Sequence, residues 1–93
     1  MGESDDIDWG KVGFVDSSTY RTEVLSHLVE SRLTPKELSN ETPIELSHVS
    51  RTLGELKEKD LVELLVPEDQ QKGRIYEATE EGKRVWETVE SRN

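Results

Sequence analysis

The sequence predicts a small, mostly helical α+β fold made of three helices, a β-hairpin and a C-terminal helix. Three patterns in the 93 residues indicate it. Apolar residues recur at helical spacing, a Thr-Pro-x-Glu-Leu motif occurs twice, and two short apolar runs flank a polar loop. We therefore interpret residues 17–93 as one folded domain, preceded at residues 1–16 by a flexible acidic N-terminal tail and arm.

Composition narrows the class of protein before any motif is considered. Only 31% of residues are apolar and 35% are charged, so the few apolar residues must be well placed for the chain to fold. Cysteine is absent, which excludes disulfides and thiolate metal sites. No stretch has the length of a membrane span, and the acidic N-terminus is unlike a signal peptide. We expect a cytoplasmic protein without a cofactor, and a chain of this length leaves no room for a ligand-sensing domain that would bind a small-molecule effector.

The net charge of −9 affects whether the chain can bind nucleic acid. Proteins that bind nucleic acid usually present a basic surface, because phosphate neutralisation supplies most of their non-specific affinity. An acidic chain fits DNA only if its carboxylates lie away from the binding face or if it works in a high-salt cytoplasm. In molar salt the Debye length falls to about 3 Å, and distant carboxylates are screened. Abundant Asp and Glu with few Lys also fits the surface of a halophilic protein.

The segments before the repeated motif predict an arm and a helix. Residues 9–15 combine aromatic and β-branched side chains with Gly10 and Gly13, which predicts a short strand or an extended arm packed on the core. Residues 16–18 then offer an N-cap for a helix over residues 19–30. The apolar stripe of that helix consists of Tyr20, Val24, Leu25, Leu28 and Val29.

The repeated motif predicts two helix starts close together. Residues 34–38 read Thr-Pro-Lys-Glu-Leu, and residues 42–46 read Thr-Pro-Ile-Glu-Leu. Each copy has the pattern of a capping box with proline at the first helical position. Two such starts eight residues apart predict a short helix from Pro35 to about Asn40, a tight turn near Glu41, and a second helix.

That second helix is expected from Pro43 to about Lys59. Its core stripe is predicted to contain Leu46, Val49, Leu53 and Leu56. Its opposite side carries Ser47, His48, Arg51, Gly54 and Glu55. Glycine lowers helix stability by roughly 1 kcal/mol relative to alanine, so we interpret Gly54 as a point where a neighbour approaches closely.

The C-terminal third predicts a hairpin and a last helix. Two strands are expected at residues 61–66 and 74–78, joined by the polar loop 67–73. Thr79 is expected to cap a helix from Glu80 to about Glu90, whose acidic first turn suits the positive end of the helix dipole. The complete order of elements is that of a winged helix-turn-helix, in which the hairpin is the wing.

Two segments resemble a known class of regulators. Residues 46–62 resemble the recognition helix and following turn of MarR-like and ArsR-like regulators, and residues 73–82 resemble their wing strand and last-helix start. The Thr-Pro-x-Glu-Leu opening is similar to small archaeal winged-helix regulators. The resemblance covers about residues 18–90 and implies a DNA-binding transcription regulator that reads the major groove with helix 43–59.

This chain departs from the family pattern at two places. Asp60 stands where those families usually have glycine, and aspartate tolerates the left-handed backbone better than most residues. The wing carries Glu68 and Asp69 beside Lys72 and Arg74, which makes it less basic than a typical DNA-gripping wing.

The candidate DNA-binding residues lie on three predicted elements. They are Thr34, Lys36, Ser47, His48, Ser50, Arg51, Thr52, Lys72 and Arg74. Arginine can form two hydrogen bonds with guanine, while serine and threonine reach bases or phosphates. Each has a simpler alternative: Arg51 could pair with Glu55 four residues later, Thr34 could serve only as a helix cap, and the wing cations could lie in a solvated loop.

Catalysis and metal binding find no support in the sequence. His27 and His48 are not at ligand spacing, and no nucleophile with a base is recognisable, so we expect neither an enzyme nor a metal site. Trp9, Tyr20 and Trp86 are assigned to the core or to an interface, and we expect a homodimer formed through the N-terminal arm and last helix. The alternative function is a winged-helix protein-protein interaction module in a transcription or assembly complex, favoured by the acidic balance and the mixed-charge wing.

Overall fold

The computed structural model describes residues 7–65 and 74–92. The elements follow in the order α1 (Trp9–Asp16), α2 (Thr19–Glu30), α3 (Pro35–Glu41), α4 (Leu46–Glu58), β1 (Val62–Leu64), β2 (Tyr76–Ala78) and α5 (Glu80–Arg92). The predicted fold class, a mostly helical α+β winged helix-turn-helix, is confirmed. The wing loop, the N-terminal residues 1–6 and the predicted site residue Lys72 lie outside the described residues.

The first element is a helix, so the prediction of a strand or extended arm at residues 9–15 is wrong. Asp8 caps α1, its carboxylate accepting a hydrogen bond from the Lys11 amide at 3.2 Å. Val12 and Val15, three residues apart, are fully buried, and α1 packs against α5 and α2. Burial of this stripe outweighs the poor helix propensity of Gly10 and Gly13 and the strand preference of the valines. The segment is thus part of the core and not an arm.

Helix α2 has the predicted bounds and lies at the centre of the molecule. Ser18 is its N-cap, with its hydroxyl accepting from the Arg21 amide at 3.2 Å. Val24, Leu25 and Leu28 form its buried stripe, and α2 packs against α1, α4, α5 and β2. Tyr20, predicted as part of this stripe, is 41% exposed.

The two copies of the Thr-Pro-x-Glu-Leu motif form different structures. In the first, the Thr34 hydroxyl accepts from the Glu37 amide and the Glu37 carboxylate accepts from the Thr34 amide, so the predicted capping box is confirmed. In the second, the buried Thr42 hydroxyl donates to the Leu38 carbonyl at 2.7 Å and closes the end of α3. Its oxygen then accepts from the Ile44 amide, and no side chain caps α4 at Glu45.

The start of α4 is therefore three residues later than predicted. A residue before proline favours extended backbone, and Thr42 is extended with ψ of 164°. Ile44 is buried and takes the core position at this end, whereas Leu46, expected in the core, is 47% exposed as the first residue of α4. The prediction of a second capping box and of Leu46 as a core residue is wrong.

The turn after α4 is made by Asp60. Its φ of 63° lies in the left-handed region, which aspartate tolerates better than most residues. The chain then enters β1, which pairs antiparallel with β2 in the register Val62 with Ala78 and Leu64 with Tyr76. Tyr76 also forms an isolated bridge with Leu33, so the base of the wing is attached to the segment before α3.

Helix α5 returns across the molecule from the wing. The Thr79 hydroxyl caps it by accepting from the Gly82 amide at 2.9 Å and also donates to the Asp60 carbonyl at 2.6 Å. Val85 and Val89 are buried on its inner side. Within the described residues, no helix is long and apolar enough to cross a membrane.

The fold distinguishes sharply between two helical glycines. A Cβ atom at Gly82 would collide with the backbone carbonyl of Leu61, whereas a Cβ at Gly54 would meet nothing within 4 Å. We expect Gly82→Ala to lower the free energy of unfolding by about 1–3 kcal/mol through overpacking, and Gly54→Ala to raise it by about 1 kcal/mol through helix propensity. Urea denaturation of both variants measures this. A stable Gly82→Ala protein would contradict the close approach of α5 to the turn.

The unequal motif copies make a second prediction about stability. Glu37→Ala removes the carboxylate that satisfies the Thr34 amide, and we expect a loss of about 1 kcal/mol. Glu45→Ala, the matched change in the second copy, removes no cap and should leave the free energy of unfolding within about 0.5 kcal/mol of the starting value. Equal losses in urea denaturation would show that Glu45 caps α4 after all.

Candidate nucleic-acid interface

Helix α4 presents one face to the core and the other to solvent. Its inner stripe of Val49, Thr52, Leu53 and Leu56 is buried against α2 and α3. The opposite, exposed side consists of Ser47, Ser50, Arg51 and Gly54, which we call the outer ridge. A helix packed this firmly on one side holds the outer ridge in a fixed direction.

The predicted site residues separate into three groups by burial. Lys36, Ser47, Ser50, Arg51 and Arg74 are exposed. Thr34 and His48 are half-buried. Thr52 is only 3% exposed, because it lies three residues after Val49 and four before Leu56 in the inner stripe. The assignment of Thr52 to the groove-facing set is therefore wrong.

A cleft lies between α3, α4 and the wing. It has a volume of about 370 Å³ and is lined by Pro35, Ser50, Leu53, Arg74 and Tyr76. Ser50 is exposed to solvent and lines this opening. The cleft brings the exposed Arg74 and Ser50 together beside the start of α3, where Lys36 follows Pro35. Three elements thus contribute polar or cationic groups to one side of the molecule.

Arg51 is exposed on the outer ridge and does not pair with Glu55, its expected partner. The alternative that it pairs with Glu55 is not observed, and Arg51 forms no ion pair within residues 7–65 and 74–92. Glu55 instead accepts a hydrogen bond from Arg21 Nε at 3.1 Å, across from α2. As far as the described residues are concerned, the guanidinium of Arg51 is therefore available to a partner outside the chain.

His48 is held by an aromatic contact that the sequence does not reveal. Its ring lies against Tyr20 of α2, with centroids 5.3 Å apart and planes inclined by 31°. Its Nδ1 is buried without a hydrogen-bond partner. Tyr20 and Arg21 of α2 thus contact His48 and Glu55 of α4. The sequence does not predict these contacts, because the partners are 28 and 34 residues apart and no periodic pattern connects them.

Several cations away from the outer ridge are bound by carboxylates of the chain itself. The ion pairs are Lys11 with Glu81 at 3.6 Å, Arg32 with Glu77 at 3.3 Å, Arg84 with Glu81 at 3.0 Å, and Arg21 with Glu55 at 3.1 Å. Lys36, Arg51 and Arg74 have no such pair in the described part of the chain. The described cations of the candidate interface are therefore not neutralised by carboxylates of the described residues, and the same holds for Lys57, Lys59, Lys83 and Arg92.

The described residues contain no arrangement suited to a metal ion. No group of three or more His, Asp or Glu side chains comes together there. Within the described residues, the hydrogen bond of the His27 ring is with the Glu23 carbonyl of its own helix, through Nδ1 at 2.9 Å.

Comparison with known proteins identifies both a family and a fold. The family model described as the HVO_A0261 N-terminal domain matches residues 9–92. No protein of curated function matches the chain.

Among solved structures, MarR-family winged-helix proteins are similar to the chain. A Lactococcus lactis ZitR mutant has a TM-score of 0.71 at 18% identity over 80% of this chain and 51% of its own. NadR in complex with 4-hydroxyphenylacetate has a TM-score of 0.71 at 21% identity over 87% and 59%. A mutant of E. coli MarR complexed with operator DNA has a TM-score of 0.70 at 22% identity over 86% and 61%. The present chain therefore spans between half and two-thirds of the length of these proteins, and the similarity establishes a shared fold.

Proposed function

Because this chain belongs to the HVO_A0261 N-terminal domain family and has the fold of MarR-family regulators, we propose that it is a DNA-binding transcription regulator and not an enzyme. Its ligand is double-stranded DNA, and α4 reads the major groove. The observation that carries this proposal is Arg51, which is exposed on the outer ridge of the helix and forms no ion pair with the described residues. The MarR structure with operator DNA supports duplex DNA as a ligand of this fold.

The dimensions and chemistry of the outer ridge suit a major groove. An α-helix with its side chains is about 10–12 Å across, and the groove is about 12 Å wide. Arg51 can form two hydrogen bonds with guanine, and the Ser47 hydroxyl can reach a base or a phosphate. Gly54 adds no side chain to the ridge, and a Cβ atom there would meet nothing within 4 Å, so α4 can approach the base edges closely at this point.

The cleft between α3, α4 and the wing supplies contacts to the DNA backbone. Arg74 and Ser50 line it, and Lys36 is exposed beside it. Such groups fix the register of a protein on the duplex, while the outer ridge provides the sequence information. Thr34 and His48, both half-buried, and Lys72, which lies outside the described residues, complete the set of proposed DNA-contacting residues.

The acidic balance of the chain fits this proposal if the protein works at high salt. Screening removes the repulsion between phosphates and distant carboxylates when the Debye length falls to about 3 Å in molar salt. Contacts at hydrogen-bond distance, such as those of Arg51, are retained. We therefore place the protein in a high-salt cytoplasm of haloarchaeal type.

Removal of Arg51 tests the assignment of the recognition helix. Duplexes selected from a random library by the unmodified protein provide the probe, and fluorescence anisotropy gives the affinity. We expect Arg51→Ala to weaken binding by about 1–3 kcal/mol, the size of a good base contact, and to relax the preference at one base pair. Arg84→Ala is the matched control, because it removes an exposed arginine of α5. Equal affinities of the Arg51→Ala and unmodified proteins would contradict the role of Arg51.

A second candidate function is a protein-protein interaction module of a transcription or assembly complex. The net charge of −9 and the exposed Leu46 beside the outer ridge favour it. The same selection experiment separates the two functions. If no duplex is retained in moderate or in molar potassium chloride, the DNA-binding proposal fails and this alternative replaces it.

We further propose that the protein is a homodimer formed by α1 and α5. Trp9 is 54% exposed at the start of α1, α1 packs directly against α5, and Trp86 is only partly covered. A dimer allows two copies of α4 to bind two half-sites. Light scattering at micromolar concentration should give twice the mass of one chain, and the Trp9→Ser variant should give a mass closer to that of a single chain. A monomer for the unmodified chain would disprove this arrangement.

A further inference from the structure

Arg21 is the most extensively bound cation among the described residues. Its Nη1 donates to the Phe14 carbonyl at 2.8 Å and its Nε donates to Glu55 Oε1 at 3.1 Å. Its guanidinium carbon lies 3.9 Å from the centre of the Phe14 ring. One side chain of α2 therefore connects α1 with the C-terminal half of α4.

The partner that Arg21 takes is a carboxylate beside the outer ridge. Glu55 follows Gly54 directly and lies one helical turn after Arg51, at the spacing where two side chains of a helix meet. Along the helix, two cations lie four residues from Glu55, Arg51 before it and Lys59 after it. The Lys59 ammonium already lies 5.4 Å from the centre of the Phe14 ring, so Arg51 is the one of the two without another contact among the described residues. Glu55 pairs with Arg21 in preference to Arg51, because the guanidinium of Arg21 is already held by the carbonyl and the ring of Phe14. Arg21 therefore loses less side-chain entropy when it forms the ion pair.

We propose that Arg21 is a positioning residue that keeps Arg51 free for DNA by holding Glu55 away from it. This inference rests on the proposed DNA-binding function. Arg21 itself does not contact DNA; it acts by removing a competing carboxylate from the outer ridge. Phe14 extends the effect to α1, because displacement of α1 takes away the carbonyl and the ring that hold Arg21 in place.

A double-mutant cycle in the full chain tests the proposal. The probe is a fluorescein-labelled duplex of random sequence, titrated at low and at molar potassium chloride. We expect Arg21→Met to weaken binding about three- to tenfold at low salt, because a freed Glu55 pairs with Arg51 and repels phosphate. Glu55→Gln in the same chain should restore the affinity. In an Arg51→Ala background, Arg21→Met should change the affinity by less than about twofold, since only the repulsion by Glu55 is left to act.

Two readouts separate positioning from simple stability. Arg21→Met should lower the melting temperature, and Glu55→Gln should not restore it, because the bond to the Phe14 carbonyl stays lost; DNA affinity and stability then move independently. Arg84→Met is the matched control, since it breaks an Arg–Glu pair of similar length on α5 with the same change in net charge. It should leave the affinity within about twofold, because screening weakens exposed charges beyond a Debye length of about 8 Å at physiological salt.

The failure of this inference differs from the failure of the proposed function. If the unmodified chain binds no duplex, both fall together. If it binds and Arg21→Met binds equally well, or if Glu55→Gln does not restore the loss, the positioning role alone is overturned. Should Arg21→Met not fold, Phe14→Leu removes the ring beneath the guanidinium and keeps the carbonyl. Its affinity should fall and be restored by Glu55→Gln, and an unchanged affinity would overturn the proposal.

Discussion

Burial of the inner stripe of α4 is the constraint on which the rest of the structure depends. Val49, Leu53 and Leu56 are almost fully buried, and they seat the helix between α2 and α3. Each fully buried side chain of this size contributes about 1.5–3 kcal/mol, so rotation of α4 about its axis would be strongly unfavourable. The direction of the outer ridge is therefore a consequence of core packing. Arg51 is exposed because the residues two before and two after it are buried.

The sequence predicted the elements whose signals are local. Helix α2 has the expected bounds because its cap and its stripe lie within one segment, and the turn at Asp60 follows from the residue itself. The hairpin and α5 were predicted for the same reason. The same signals failed where tertiary contacts compete with them. The strand-like residues of α1 are helical because Val12 and Val15 are buried together.

The second Thr-Pro-x-Glu-Leu copy shows how one pattern can have two outcomes. In both copies proline keeps the preceding threonine extended. In the first, the threonine hydroxyl is free to accept from the amide three residues later. In the second, the hydroxyl of Thr42 lies next to the carbonyls that α3 leaves unsatisfied, and it closes that helix instead of opening the next. The spacing of eight residues that predicted a helix-turn-helix is also what places Thr42 at the end of α3.

The sequence predicted which residues belong to the candidate site, but not which side chains pair with one another around it. The spacing in the sequence allowed an ion pair between Arg51 and Glu55, but in the structure Glu55 pairs with Arg21, 34 residues away. An acidic chain can in this way hold a basic interface without many basic residues, because what matters is which cations its own carboxylates leave unpaired. Among the described residues, carboxylates bind Lys11, Arg21, Arg32 and Arg84, whereas Lys36, Arg51 and Arg74 of the candidate interface have no ion pair, and neither do Lys57, Lys59, Lys83 and Arg92. The net charge of −9 therefore does not by itself exclude a surface on which α3, α4 and the wing present cations that the described residues leave unpaired.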